Sequence, residues 1–216
     1  MRVVIFCNGK LCISLKNLHQ IISEAKLLIA VDGGANHFKK LKLKPHVIIG
    51  DMDSISEQSF MEDEQVEKIT YDADKNQTDT ELAVLEAFKR GYSQIILLGA
   101  TGKRLDHTLA NIELLKRYPG QIILLDKETK LIAINRKQKL MLLGKKESVV
   151  SIFSAGICSP MIKTYGLKYS LDNQKLLFPT QGISNVIQKT YAQIHVRNGL
   201  LLVCAAIETK LEIREV

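Results

Sequence analysis

Two carboxylates one residue apart, Asp51 and Asp53, follow directly on the apolar run Val47-Ile48-Ile49 and Gly50. A short β-branched run ending at a glycine reads as a buried strand. A turn at its end lets both side chains converge. Carboxylates gathered at a strand end need a neutralising partner. A hard cation suits them, and Mg2+ is commonly held by one or two carboxylates plus substrate phosphates. Taken alone, the pair is equally a solvated turn. Three more polar stretches stand beside apolar runs in the same way: Asp32-Gly33-Gly34-Ala35-Asn36, Asp74-Lys75-Asn76-Gln77-Thr78-Asp79-Thr80-Glu81, and residues 99–107, Gly-Ala-Thr-Gly-Lys-Arg-Leu-Asp-His.

The elements that must position these residues alternate. Strands are expected over 3–7, 27–31, 47–49, 66–71, 95–98 and 122–125. Helical patterns are expected over 15–25, 35–41, 56–63, 78–90 and 106–118. Thr78 and Glu81 have capping-box spacing, and Gly91 suits the helix end. Leu82, Leu85 and Phe88 form the expected core stripe, and Asp79 lies on it in the first turn, where an acid also suits the helix dipole. Continuous apolar strands alternating with helices mean a parallel sheet covered on both faces. In such sheets ligands bind beyond the carboxyl ends of the strands. The clusters beginning at Asp32, Asp51 and Gly99 therefore gather on one sheet edge.

From about residue 126 short strand-like runs recur, at 130–134, 140–143, 149–153, 167–171, 175–178, 192–196 and 200–205. Asp172-Asn173 and Asn198-Gly199 are turn signals between them. This pattern predicts an antiparallel sandwich. The expected organisation is an α/β domain over 1–125 and a β-sandwich domain over 126–216.

Several acids around one crevice (Asp51, Asp53 and Asp79, with Asp32, Asp74 and Asp106 as further candidates) suit Mg2+. Gly33, Gly34, Gly99 and Gly102 allow backbone amides to approach phosphate oxygens. Lys103 and Arg104 beside a helix start add positive charge. The set points to a Mg-nucleotide and phosphoryl-type transfer. No GxxxxGK[ST] loop is present. Asp32-Gly33-Gly34 alone could be a plain turn, Thr78 and Asp79 mere capping, His107 a surface histidine, and Arg104 and Asp106 partners of each other.

The net charge of +7 suggests nucleic acid at first glance. Residues 1–125 hold sixteen basic and sixteen acidic side chains, so the excess lies in the last third, fourteen against seven. Those lysines are scattered and read as a solvated strand face, so no nucleic-acid partner is expected. No apolar run reaches the length of a membrane span, the N-terminal run is too short for a signal peptide, and a cytoplasmic location follows. Cys7, Cys158 and Cys204 sit in or beside apolar segments and read as buried free thiols.

The ordered set of motifs resembles the thiamine pyrophosphokinases. The resemblance extends to Gly166-Leu167-Lys168-Tyr169, Gly182-Ile183-Ser184-Asn185 and Gly199-Leu200-Leu201-Leu202-Val203, and so covers nearly the whole chain. It implies transfer of a pyrophosphoryl group from ATP to the hydroxyl of thiamine. Asp51, Asp53 and Asp79 would bind Mg2+. Asp32, Gly33, Gly34, Asn36, Lys75, Thr78, Thr101, Arg104, Asp106 and His107 would hold ATP. Ser184 and Asn185 would contact thiamine, bound where the subunits of a homodimer meet. Asn76 replaces an acid common in relatives, and the chain has no tryptophan to stack on thiamine. Two other readings remain: a pyrophosphokinase for another alcohol such as a pterin, and a phosphatase of the haloacid dehalogenase type, which Asp51-Met52-Asp53-Ser54 also resembles. In the latter the motif normally follows the first strand.

Overall fold

A computed structural model of the chain describes residues 1–56, 58–72, 74–178 and 180–216. The chain divides into two compact units, one of residues 1–114 and 124–127, the other of residues 115–123 and 128–216.

In the first unit β1 (Arg2–Phe6), β2 (Leu27–Val31), β3 (Val47–Gly50), β4 (Glu67–Thr70) and β5 (Gln94–Leu98) pair in parallel in the order β5-β1-β2-β3-β4. All of β2 and β3 and most of β1 and β5 are buried, as continuous Val/Ile/Leu runs require. The edge strand β4 is half exposed. Helices α1 (Leu15–Ser23), α2 (Ala35–Leu41), α3 (Gln58–Glu62), α4 (Asp79–Lys89) and α5 (Leu105–Arg117) alternate with the strands, and β6 (Ile122–Asp126) follows. Residue 57, within the expected helical stretch 56–63, lies outside the described residues.

Helix α4 starts as its capping spacing predicts. Thr78 is extended and its Oγ accepts from the Glu81 N–H at 3.2 Å. Its buried face differs from the expected stripe. Leu82, Ala83, Val84 and Ala87 are buried, whereas Leu85 is exposed. The helix phase that buries Thr80, Ala83, Val84 and Ala87 places Leu85 on the outward side.

In the second unit two antiparallel sheets share one core. One has the order β12-β9-β14-β7: β7 (Thr129–Asn135), β9 (Val149–Ser154), β12 (Gly182–Val186) and β14 (Leu200–Ala206). The other runs β11-β10-β13-β8-β15: β8 (Gln138–Leu143), β10 (Met161–Tyr165), β11 (Gln174–Lys175), β13 (Ala192–Asn198) and β15 (Lys210–Glu215). Ile132, Ile152 and Val203 from the first pack in one cluster with Leu140, Ile162 and Ile194 from the second. The fold class is therefore α/β followed by an antiparallel sandwich.

Several expectations for this unit need correction. Residues 167–171 form no strand; Leu167 makes a single bridge to Ile187, just after Gly166 at φ +75°. The run 175–178 shortens to the two-residue β11. Strands β10, β12 and β15 were not anticipated. In β15 the alternation of Leu211 and Ile213 is hidden among four charged residues, and in β12 Ser184 has φ +58°. Cys158 is exposed rather than buried.

Gly34 anchors the turn after β2. A Cβ there would lie 2.1 Å from the Phe6 carbonyl oxygen. Gly91, at φ +81°, has open space around its missing Cβ. Gly34→Ala should therefore cost about 1–3 kcal/mol in urea denaturation. Gly91→Asn, which tolerates the left-handed region, should cost less than about 1 kcal/mol.

Candidate active site

The strand order reverses at β1: β2, β3 and β4 extend to one side and β5 to the other. Ligand crevices in open α/β sheets form at such a switch point. Beyond the strand ends the β1–β5 pairing continues, with Cys7, Gly9 and Lys10 N–H groups donating to the Leu98, Gly99 and Thr101 carbonyls at 2.7–2.8 Å. A cavity of about 170 Å3 opens here. Its lining includes Asp32, Thr78, Asp79, Thr101, Arg104 and His107, so one crevice unites residues from three of the four motifs.

The fourth motif forms the adjoining wall. Gly50 (φ +145°) and Met52 (φ +69°) turn the chain sharply after β3, and the Asp53 N–H donates to Asp51 Oδ1 at 3.2 Å. The Asp51 carboxylate, by hydrogen bonding and charge, raises the Asp53 pKa above its ordinary value. The turn is stapled to the Asp32–Asn36 segment. The Gly33 N–H donates to Ser54 Oγ at 2.9 Å, Asn36 Nδ2 donates to the Ser54 carbonyl at 3.1 Å, and Asn36 Oδ1 accepts from the Ser56 N–H and hydroxyl at 3.0 and 2.6 Å. Asn36 thus braces the acidic turn.

Asp32 is the most perturbed acid. It sits at φ +45°, with Oδ1 in the space a Cβ on Gly50 would take, 1.5 Å from that position. Burial raises its pKa to about 7, reinforced by the adjacent Asp79 carboxyl and the Asp51 charge, while a hydrogen bond to the Met52 backbone opposes the shift. Asp32 Oδ1 and Asp79 Oδ1 are buried without an aligned hydrogen-bond partner. Lys75 Nζ lies 2.5 Å from that Asp79 oxygen, an ion contact without hydrogen-bond alignment. No group of three or more His, Cys, Asp or Glu stands in ligating arrangement among the described residues.

The opposite wall carries the basic corner. Arg104 makes a two-pronged contact with Asp106 at 3.2 and 2.6 Å, and Asp106 also accepts from the His107 N–H at 2.9 Å. The guanidinium holds the Asp106 carboxyl below its ordinary pKa. This pair is exposed, with side chains 68% and 63% accessible. Asn111 Nδ2 donates to the Ala100 carbonyl at 2.8 Å and pins the Gly99–Thr101 turn.

Asn8 and Gly9 went unnoticed in the sequence reading. The Asn8 side chain fills the space left by the missing Cβ of Gly33, and its Oδ1 accepts from Lys103 Nζ at 2.9 Å. The dipeptide Asn-Gly at the end of the first strand was the available signal. Ser184 and Asn185 lie in the second unit. Ser184 is exposed, and its N–H donates to Ser151 Oγ at 3.1 Å. Asn185 is 4% exposed, and its carboxamide clamps the backbone of Tyr169 at 3.0 and 2.8 Å.

Residues 18–125 match the family model "Thiamin pyrophosphokinase, catalytic domain", and residues 131–201 match "Thiamin pyrophosphokinase, vitamin B1 binding domain". The chain belongs to the thiamine pyrophosphokinase family. Thiamine pyrophosphokinase of Bacillus subtilis is 30% identical over 190 residues, covering 83% of this chain and 86% of that protein. Thiamin pyrophosphokinase 1 of Caenorhabditis elegans is 26% identical over 218 residues, covering 93% and 87%. The Bacillus subtilis thiamine pyrophosphokinase crystal structure superposes with a TM-score of 0.82 at 26% identity, over 96% of this chain and all of the other.

A raised carboxyl pKa means that the ionised form destabilises the fold. For Asp32 that penalty builds above about pH 4, where a carboxyl in the unfolded chain ionises, and is complete above the folded value of about 7. Asp32→Asn should therefore melt higher than the wild type at pH 8 in metal-free buffer, and the two midpoints should converge near pH 4.

Proposed function

We infer that the chain transfers a pyrophosphoryl group from ATP to the hydroxyl of thiamine, giving thiamine diphosphate and AMP. Family membership supports this reading, and the observation that carries it is the placement of Asp32 and Asp79 in the crevice at the β1–β5 switch point, with Asp51 close enough to raise the pKa of both Asp32 and Asp53. The acidic pair follows the third strand of the fold, unlike the phosphatase motif it also resembles.

The carboxylates fit Mg2+ by chemistry. They are hard oxygen donors, and two of their oxygens are buried without aligned donors. Asp51, Asp53 and Asp79, with Asp32 beside them, would hold the ion, and substrate phosphates would complete its shell. Bound there, the ion supplies charge neutralisation for the polyphosphate.

The chain's own residues do the rest. Thr78, His107 and the Gly99–Thr101 turn border the polyphosphate space. Lys103 is held by Asn8, and Arg104 exchanges Asp106 for phosphate oxygens, a like-for-like bidentate swap. Lys75, already on Asp79, is within reach of the same charges. The thiamine oxygen attacks the β-phosphorus in line. The new O–P bond forms as the bond from the β-phosphorus to the α,β-bridging oxygen breaks, and AMP leaves with that oxygen. The hydroxyl proton passes to Asp79 or directly to a phosphate oxygen. Ser184 contributes to the thiamine side, with the buried Asn185 beside it holding the Tyr169 backbone in place, in a cytoplasmic homodimer with thiamine at the subunit interface.

The test is AMP formation by the purified protein with Mg-ATP and either thiamine or a hydroxymethyl pterin. Thiamine should support turnover and the pterin should not, and Asp51→Asn should lower kcat/KM at least about 100-fold. Turnover with the pterin alone would contradict the acceptor, and an undiminished Asp51→Asn enzyme would contradict the role of the acid set.

A further inference from the structure

Four of the fourteen basic side chains of residues 126–216, Lys139, Lys163, Arg197 and Arg214, stand in one row on a face of the second unit. The strand register sets Arg214 of β15 opposite Lys139 of β8, Lys139 opposite His195 of β13, and His195 opposite Lys163 of β10. The alternate positions Leu140, Ile194 and Ile162 point into the core, so this row occupies the sheet's other face. Arg197, two residues beyond His195, joins it. Like charges directly opposite on neighbouring strands are destabilising, and the sandwich core does not require them.

Among the described residues the row is neutralised only at its ends. Lys163 Nζ lies 3.0 Å from Asp172, and Arg214 lies 3.9 Å from Glu212. Between them, Lys139 and His195 have no carboxylate partner among the described residues, and Arg197 Nε donates only to the neutral Asn173 Oδ1 at 3.2 Å. Lys139, Lys163, His195 and Arg197 line a hollow of about 220 Å3 with Tyr165 and Gln193. His195 is 7% exposed, and its ring has no hydrogen-bond partner among the described residues. Burial, then Arg197 and Lys139, lower its pKa.

We propose that this hollow binds a phosphate-type oxyanion carrying at least two negative charges. Lys139, Lys163 and Arg197 supply the charge, and the His195 ring supplies a directed N–H donor. Asp172 and Glu212 bound the row at either end, which suits a compact anion and not the long basic stripe a nucleic acid needs. The site is independent of the transfer reaction proposed above.

The experiment follows the His195 ring resonances by NMR in the full-length protein, assigned with His195→Gln, as inorganic pyrophosphate is added against NaCl of equal ionic strength. A saturable shift with pyrophosphate and none with NaCl is expected. Lys139→Gln with Arg197→Gln should weaken it at least tenfold, and because a repulsion is relieved the double variant should melt no lower than the wild type in NaCl. Equal responses to the two salts, a response retained in the double variant, or a shift produced by a single-stranded oligonucleotide but not by pyrophosphate would each overturn the assignment.

Discussion

Negative charge crowded onto the end of a parallel sheet is the constraint the first unit is built around. Asp32 rests on Gly50 because that position has no side chain, and its neighbours are Asp79 and Asp51. Repulsion of this kind persists only where the surroundings hold it in place. The holding is done by the Gly33–Ser54 contact, the three hydrogen bonds of Asn36, and the capped start of α4 that fixes Asp79. Each is a short-range bond between segments that the parallel sheet brings side by side.

The basic side of the crevice is built differently. Gly9, Lys10, Gly99 and Thr101 are locked by backbone pairing, while among the described residues the side chains of the cations Lys103 and Arg104 are tethered through Asn8 and Asp106 alone. An acidic wall braced by short-range bonds, facing cations that only exposed side-chain contacts tether, suits the metal and polyphosphate proposed above: braced charge for the ion and exchangeable charge for the phosphates. The second unit has its own core and its own charge problem, resolved at the ends of the cation row and left open in its middle.

Much of this was legible in the sequence. Strands β1, β2, β3 and β5 are uninterrupted apolar runs, and the capping spacing of Thr78 and Glu81 located α4. What escaped depends on contacts between distant segments. Leu85 has the right spacing for a stripe with Leu82 and Phe88, but the helix buries the face of Thr80, Ala83, Val84 and Ala87, and that phase turns Leu85 outward. Strand β15 alternates correctly, yet its four charged residues mask the two apolar ones. The bracing role of Asn36, the filling of the Gly33 gap by Asn8 and the cation row arise from pairing in space, and no local pattern announces them. Asp51 and Asp53 were read from strand-end placement, while the perturbation of Asp32 needed the three-way approach of separate loops.

The most direct measurement is the melting midpoint of the metal-free protein in MgCl2 against NaCl of equal ionic strength. The metal-centred reading proposed above predicts a specific, saturable rise, roughly 5 °C or more at Mg2+ concentrations about a hundredfold above the dissociation constant. Identical midpoints in the two salts would mean that the carboxylates are accommodated without the ion, and would contradict a metal-centred site.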